Sequence, residues 1–114
     1  STVEAPLDLA VAITAYSTPE TVVLVDCLTL WASNLMLAER DTATATEGLA
    51  RSLSAARGPV ILVANEVGLG IVPDNALARR FRDVAGRINQ EIAALVEEAV
   101  IMFAGLPLTL KPKG

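Results

Sequence analysis

Histidine is absent from this 114-residue chain, and cysteine occurs once, at Cys27. Ser-His-Asp and Cys-His centres need the imidazole as their base, and the usual zinc sites draw on His and Cys, so enzymes of those kinds are excluded. A lone cysteine closes no internal disulfide. Cys27 follows an aliphatic run, and a reducing, cytoplasmic setting is expected. Positive charge is also scarce, with 9 Lys and Arg against 13 Asp and Glu and a net charge of −4. Apart from one short run, Arg79, Arg80, Arg82 and Arg87, the basic residues are scattered, whereas a phosphate backbone is held by clustered basic charge. Nucleic acid is therefore not expected as a partner. No apolar stretch approaches the roughly 20 uncharged residues of a membrane span. No basic segment with an apolar core opens the chain, so no signal peptide is expected. The first residue is Ser1 rather than Met, which suggests a piece or a processed product.

What the chain has in quantity is aliphatic residue. The hydrophobic fraction is 53% and the mean hydropathy +0.50, too apolar for a disordered segment. At this length one domain is expected, and such a domain buries only about two-thirds of the surface its unfolded chain exposes. The apolar surplus implies that some of this surface is covered by further polypeptide. Residues 1–114 are accordingly read as a single, partial domain.

The apolar pattern alternates between two periods. Residues 6–16 carry Leu7, Ala10, Val11 and Thr14 at helical spacing, with Pro6 in the first turn, where a missing N–H costs nothing. Residues 21–25 (TVVLV) form a short β-branched run of the kind found in strands buried on both faces. Residues 28–40 are expected to be helical through Leu28, Trp31, Leu35 and Ala38, and residues 47–57 form a second helix. Residues 60–64 (VILVA) repeat the buried-strand pattern after the Gly58-Pro59 break. The longest helix is expected over residues 75–98, with Leu77, Phe81, Val84, Ala85, Ile88, Ile92, Leu95 and Val96 on one stripe. A third buried strand spans residues 100–104, and a final extended segment follows over 108–111. Strands alternating with helices describe consecutive βαβ crossovers and an open α/β sheet. Ligands in such sheets sit at the carboxyl ends of the strands, which here are Asp26-Cys27, Asn65-Glu66 and Gly105.

Asp26 follows four aliphatic residues. Phosphoryl-transfer folds place an aspartate there to hold Mg²⁺ rigidly against nucleotide phosphates. The sequence equally allows Asp26 to cap the next helix by accepting from N–H groups near Leu28 and Thr29, and the two roles are compatible. The stretch NEVGLGIVP from Asn65 to Pro73 places glycines where backbone could approach a ligand, or simply where a turn needs positive φ. It lacks the Lys and Ser/Thr of a phosphate-cradling loop. Glu66, next to a buried strand end, is expected to face the crevice. On the following helix, Arg79 to Asp83 and Asp83 to Arg87 are i,i+4 spacings that suit a solvated face. Arg79 or Arg82 could alternatively reach a phosphate, for which an arginine's paired donors are suited. Trp31 is expected in the core, and Cys27 as a buried small hydrophobe.

Three strings carry a resemblance: VDCLTLW from Val25 with Ser33-Asn34-Leu35, NEVGLGIVP, and Leu77-Ala78-Arg79-Arg80-Phe81-Arg82-Asp83 with Gly86-Arg87 and Asn89-Gln90. Together with the opening TVEAPLDL and the closing Ala104-Gly105-Leu106-Pro107, they resemble the bifunctional adenosylcobinamide kinase/adenosylcobinamide-phosphate guanylyltransferases of cobalamin biosynthesis over nearly the whole chain. The resemblance implies phosphorylation of the aminopropanol hydroxyl of adenosylcobinamide by a nucleoside triphosphate. GMP transfer from GTP through a guanylylated histidine follows. It also implies a RecA-like (P-loop NTPase-type) open, mostly parallel sheet, Mg²⁺, ATP and GTP as substrates, and a homo-oligomer, typically a trimer. By the same likeness Asp26 is the Mg²⁺-supporting acid, Glu4 lies near the nucleotide, and Asn65, Glu66, Arg79 and Arg82 close the site. The family's phosphate loop and its GMP-accepting histidine precede the matched region and are absent from this sequence. The chain is thus read as the C-terminal two-thirds of such an enzyme, inactive alone. A non-catalytic nucleotide-binding module, or another P-loop small-molecule kinase, are the alternatives.

Overall fold

In a computed structural model, the structure describes residues 2–65 and 75–113. The elements run α1 (Leu9–Tyr16), β1 (Val23–Asp26), α2 (Leu28–Leu37), α3 (Thr42–Ser54), β2 (Val60–Val63), α4 (Ala76–Leu95), β3 (Ala99–Phe103) and β4 (Leu106–Lys111). The helix-strand order is the one the sequence implies, and it is an α/β arrangement. The boundaries move for identifiable reasons. Residues 6 and 7 stay outside α1 because their carbonyls are used elsewhere: Pro6 C=O accepts from Asn34 Nδ2 at 3.1 Å and Leu7 C=O from Trp31 Nε1 at 3.0 Å. Helix α2 stops at Leu37 because Glu39 turns left-handed, φ 56°. The Arg40 N–H then returns to Leu35 C=O at 2.9 Å and the Glu39 N–H to Met36 C=O at 3.0 Å, the paired bonds of a Schellman stop. Helix α3 starts five residues before the expected position, where Asp41 Oδ1 accepts from Thr44 N at 3.1 Å. A Thr-rich first turn hides this start from a hydrophobic pattern, and the cap reveals it.

β1 and β2 pair in parallel, with Val23 opposite Val60 and Asp26 opposite Val63. Helices α2 and α3 make the crossover between them. The core gathers Ile13 from α1, Val25 from β1, Trp31, Ala32 and Leu35 from α2, Leu49 from α3, and Ala85, Ile88 and Ile92 from α4. Val23, Val60 and Leu62 pack against it from the strands. Trp31 is in the core as expected, 4% exposed. On the α4 stripe, Leu77 and Leu95 do not join the core; they are 64% and 41% exposed.

Two expectations about the strands are corrected. The aliphatic runs are covered on one face only: Leu24 and Ile61, opposite each other in the register, are 63% and 54% exposed, and Val63 is 40% exposed. The core cluster lies on the side of Val23, Val25, Val60 and Leu62, and alternate residues of a strand point to opposite faces. The third strand also does not extend this sheet. β3 pairs antiparallel with β4 in a separate two-stranded sheet. The hairpin turns at Ala104 and Gly105, φ 50° and 78°, the pair of positive values that a type I′ two-residue turn requires. A local hairpin closes through two residues, and its strand looks like any other aliphatic run in sequence.

The turn between α3 and β2 is anchored to the end of α1. Ser17 Oγ accepts from Arg57 N at 2.8 Å and Gly58 N at 3.3 Å. A Cβ on Gly58 would run into the Thr18 carbonyl oxygen, so the close approach requires glycine. The β1–β2 pairing opens just beyond this junction, where Val23 N donates to Pro59 C=O at 3.0 Å.

Candidate functional site

The parallel pair brings two chain exits side by side. Asp26 ends β1 opposite Val63 of β2, and Asn65 follows two residues later. Asp26 is exposed and lies on the uncovered sheet face with Leu24, as its alternation along β1 dictates. It is joined to Cys27 by a cis peptide bond. Of its two expected roles, helix capping is not the one adopted. The N-cap of α2 is Cys27, whose Sγ accepts from Leu30 N at 3.4 Å. Cys27 is half-buried and serves as a cap, rather than as the buried small hydrophobe expected from its neighbours. Among the described residues the Asp26 carboxylate accepts no hydrogen bond and makes no ion pair, which leaves both oxygens available.

Asn65 is held at its backbone. Thr29 Oγ1, in the first turn of α2, accepts from Asn65 N at 2.7 Å and donates to Asn65 C=O at 3.3 Å. Asn89 Nδ2, from α4, donates to the same carbonyl at 3.5 Å. Three elements thus converge beside the end of β1. Thr29 and Asn89 lie in strings that carry the family resemblance, but their residue types and spacing alone give them no role: a threonine and an asparagine on amphipathic helices are ordinary surface residues until the topology is known. Glu66, Gly68 and Gly70 lie outside the described residues.

The arginines separate. Arg79 lines an open cleft of about 410 Å³ between α3 and α4, together with Thr42, Thr46, Arg80, Asp83 and Arg87. Arg82 Nη2 instead lies 3.4 Å from Asp83 Oδ1. Arg82 and Asn89 are seven residues apart and share a face of α4, so Arg82 is on the side that meets the end of β2. Asp83 is 72% exposed, in keeping with the solvated face expected for it, although its ion pair joins neighbours in sequence rather than residues one turn apart. Glu4 sits elsewhere. It lines a smaller cleft of about 320 Å³ with Asp8, Val11 and Tyr16, a cleft that includes neither Asp26 nor Asn65.

Among the described residues no group of three or more His, Cys, Asp or Glu could hold a metal ion. A single carboxylate does not make a protein cage for a cation. It does fit Mg²⁺, which keeps several waters and is held through one or two carboxylates and substrate phosphates.

The described residues form an α/β protein with a small parallel sheet, and in open α/β sheets ligands bind at the carboxyl edge. The family model for cobinamide kinase / cobinamide phosphate guanyltransferase matches residues 1–110, and the chain belongs to that family. It is 42% identical over 112 residues to the bifunctional adenosylcobalamin biosynthesis protein CobP of Pseudomonas aeruginosa, covering 96% of this chain and 65% of that protein. It is 36% identical to the corresponding CobU protein of Salmonella typhimurium, covering 87% of this chain and 63% of that one. The Escherichia coli CobU is 34% identical, with coverages of 82% and 60%. The chain therefore spans less than two-thirds of the length of these curated relatives.

Proposed function

We propose that this chain forms the carboxyl-terminal part of an enzyme that phosphorylates adenosylcobinamide and then transfers GMP from GTP to the phosphorylated product. The observation that carries the reading is the free Asp26 carboxylate at the exit of β1, beside the anchored exit of β2. When bound, Mg²⁺ neutralises charge on the nucleotide phosphates, and Asp26 is the residue to hold it, directly or through water. Arg82, on the α4 face that meets Asn65, is suited to donate to phosphate oxygens. Arg79 approaches the nucleotide or corrinoid from the α3 side. Glu66 belongs to the same edge, and Glu4, which lines a separate cleft beside α1, is a nucleotide-binding residue away from Asp26.

The uncovered face of Leu24, Ile61 and Val63 supports the remaining elements of the reading. A RecA-like parallel sheet arises when further strands join β1 and β2 and further polypeptide covers that face. The phosphate-cradling loop and the guanylylated histidine belong to that polypeptide. Phosphate cradling supplies most of the positioning in phosphoryl transfer, so the 114 residues alone are close to inactive in both half-reactions. The intact enzyme acts in the cytoplasm as a homo-oligomer, a trimer.

The test uses the natural polypeptide that carries this chain, at its full encoded length, with ATP or GTP, Mg²⁺ and adenosylcobinamide. Phosphorylated product and acid-labile, protein-bound GMP are expected. Asp26→Asn is expected to lower kinase turnover roughly a hundredfold while the melting temperature stays within a few degrees. Unchanged Mg²⁺-dependent turnover in that variant would remove Asp26 from the mechanism, and absence of both products from the unaltered protein would overturn the reading.

A further inference from the structure

We infer that Thr29 is a positioning residue of this enzyme: its hydroxyl sets the distance between the two strand exits, so that Asn65 stays in reach of a nucleotide phosphate whose charge is neutralised by Mg²⁺ at Asp26. The inference rests on the functional reading above and concerns a residue outside the proposed binding set. Thr29 lies three residues after Asp26, in the first turn of the helix that the strand feeds. Its Oγ1 makes two hydrogen bonds to one residue across the crossover, accepting from Asn65 N at 2.7 Å and, in a longer bond, donating to Asn65 C=O at 3.3 Å. Asn65 is exposed, and water would satisfy its backbone groups as well. Stability alone therefore does not call for this arrangement. What the hydroxyl does that water cannot is fix Asn65 to the first turn of α2, the helix that begins two residues after Asp26. Asn89 adds α4 to the same carbonyl at 3.5 Å, so α4, which carries Arg82 on the same face, is referenced to the same point. A site split over separate loops needs its parts held to a fraction of an ångström, and a displacement of about 1 Å costs on the order of a hundredfold in rate.

The experiment compares Thr29→Val, which keeps the shape and removes the hydroxyl, with Thr29→Ser, which keeps the hydroxyl, in the full-length natural polypeptide. Kinase kcat and the KM values for nucleotide and cobinamide are read beside the melting temperature. The expected result is a kcat lower by about tenfold or more in Thr29→Val with KM changed less than about threefold, and a kcat within about threefold of the unaltered enzyme in Thr29→Ser. Asn89→Ala, which loses the longer bond only, is expected to lower kcat less than Thr29→Val, and it decides the matter if Thr29→Val does not fold. An unaltered kcat in Thr29→Val, a Thr29→Ser variant as slow as Thr29→Val, or, should Thr29→Val not fold, an unaltered kcat in Asn89→Ala overturns the inference. If Asp26→Asn is slow while these variants are not, the functional reading stands and this inference alone fails. An unaltered enzyme with neither activity removes both.

Discussion

The two strand pairs of this molecule are built from similar residues and differ in almost everything else. β1 and β2 are joined through two helices, lie parallel and bury Val23, Val25, Val60 and Leu62 against a four-helix core. β3 and β4 are joined by two residues and leave Val100, Met102, Leu106, Leu108 and Leu110 between 45% and 71% exposed. The first pair is placed by tertiary contacts, through strand residues packed on the helical core. The second is placed by its own turn. Aliphatic content is thus a poor guide to where a strand will sit, whereas the length of its connection is a good one.

The comparison can be broken at three levels of effect, read by denaturant unfolding of the full-length natural polypeptide. Leu49→Ala, at a site with no exposure, is expected to destabilise by about 3 kcal/mol, because the lost apolar transfer is joined by a cavity. A cost below about 1 kcal/mol would mean that the helical layer is loosely packed. Ser17→Ala is expected to cost about 1 to 2 kcal/mol, since it leaves the Arg57 N–H without its side-chain acceptor at the junction of α1 with the turn before β2. A neutral result there would show that water replaces the hydroxyl and that the turn is held by packing. Leu110→Ser, on the hairpin, is expected to change stability by less than about 0.5 kcal/mol, as for other exposed positions. A larger loss would reveal that the hairpin's apolar face is covered in the intact protein, and would make the two pairs more alike than they are in this structure.

Much of the architecture was legible from periodicity. The β-branched runs, the Gly58-Pro59 break and the long amphipathic stripe centred on Ala85, Ile88 and Ile92 located three strands and the longest helix. The starts and stops were less legible, because they depend on single polar contacts: Asp41 capping α3, Glu39 turning left-handed, Leu7 giving its carbonyl to Trp31. The candidate site was legible where a strand end named it, at Asp26 and Asn65. It was not legible at Thr29 and Asn89, whose value comes from residues 36 and 24 positions away in sequence.

The amino-acid sequence determined which segments become helix or strand and ruled out catalysis by this chain's own histidine or a zinc site of His and Cys. These are local consequences of residue type and spacing. Only the tertiary structure decided that β1 and β2 are covered on one face, that β3 turns to β4, that Cys27 rather than Asp26 caps α2, and that Arg79 and Arg82 face different surroundings. Those outcomes depend on which distant residues compete for the same hydrogen-bonding group or the same apolar surface, and that competition is settled only when the chain has folded.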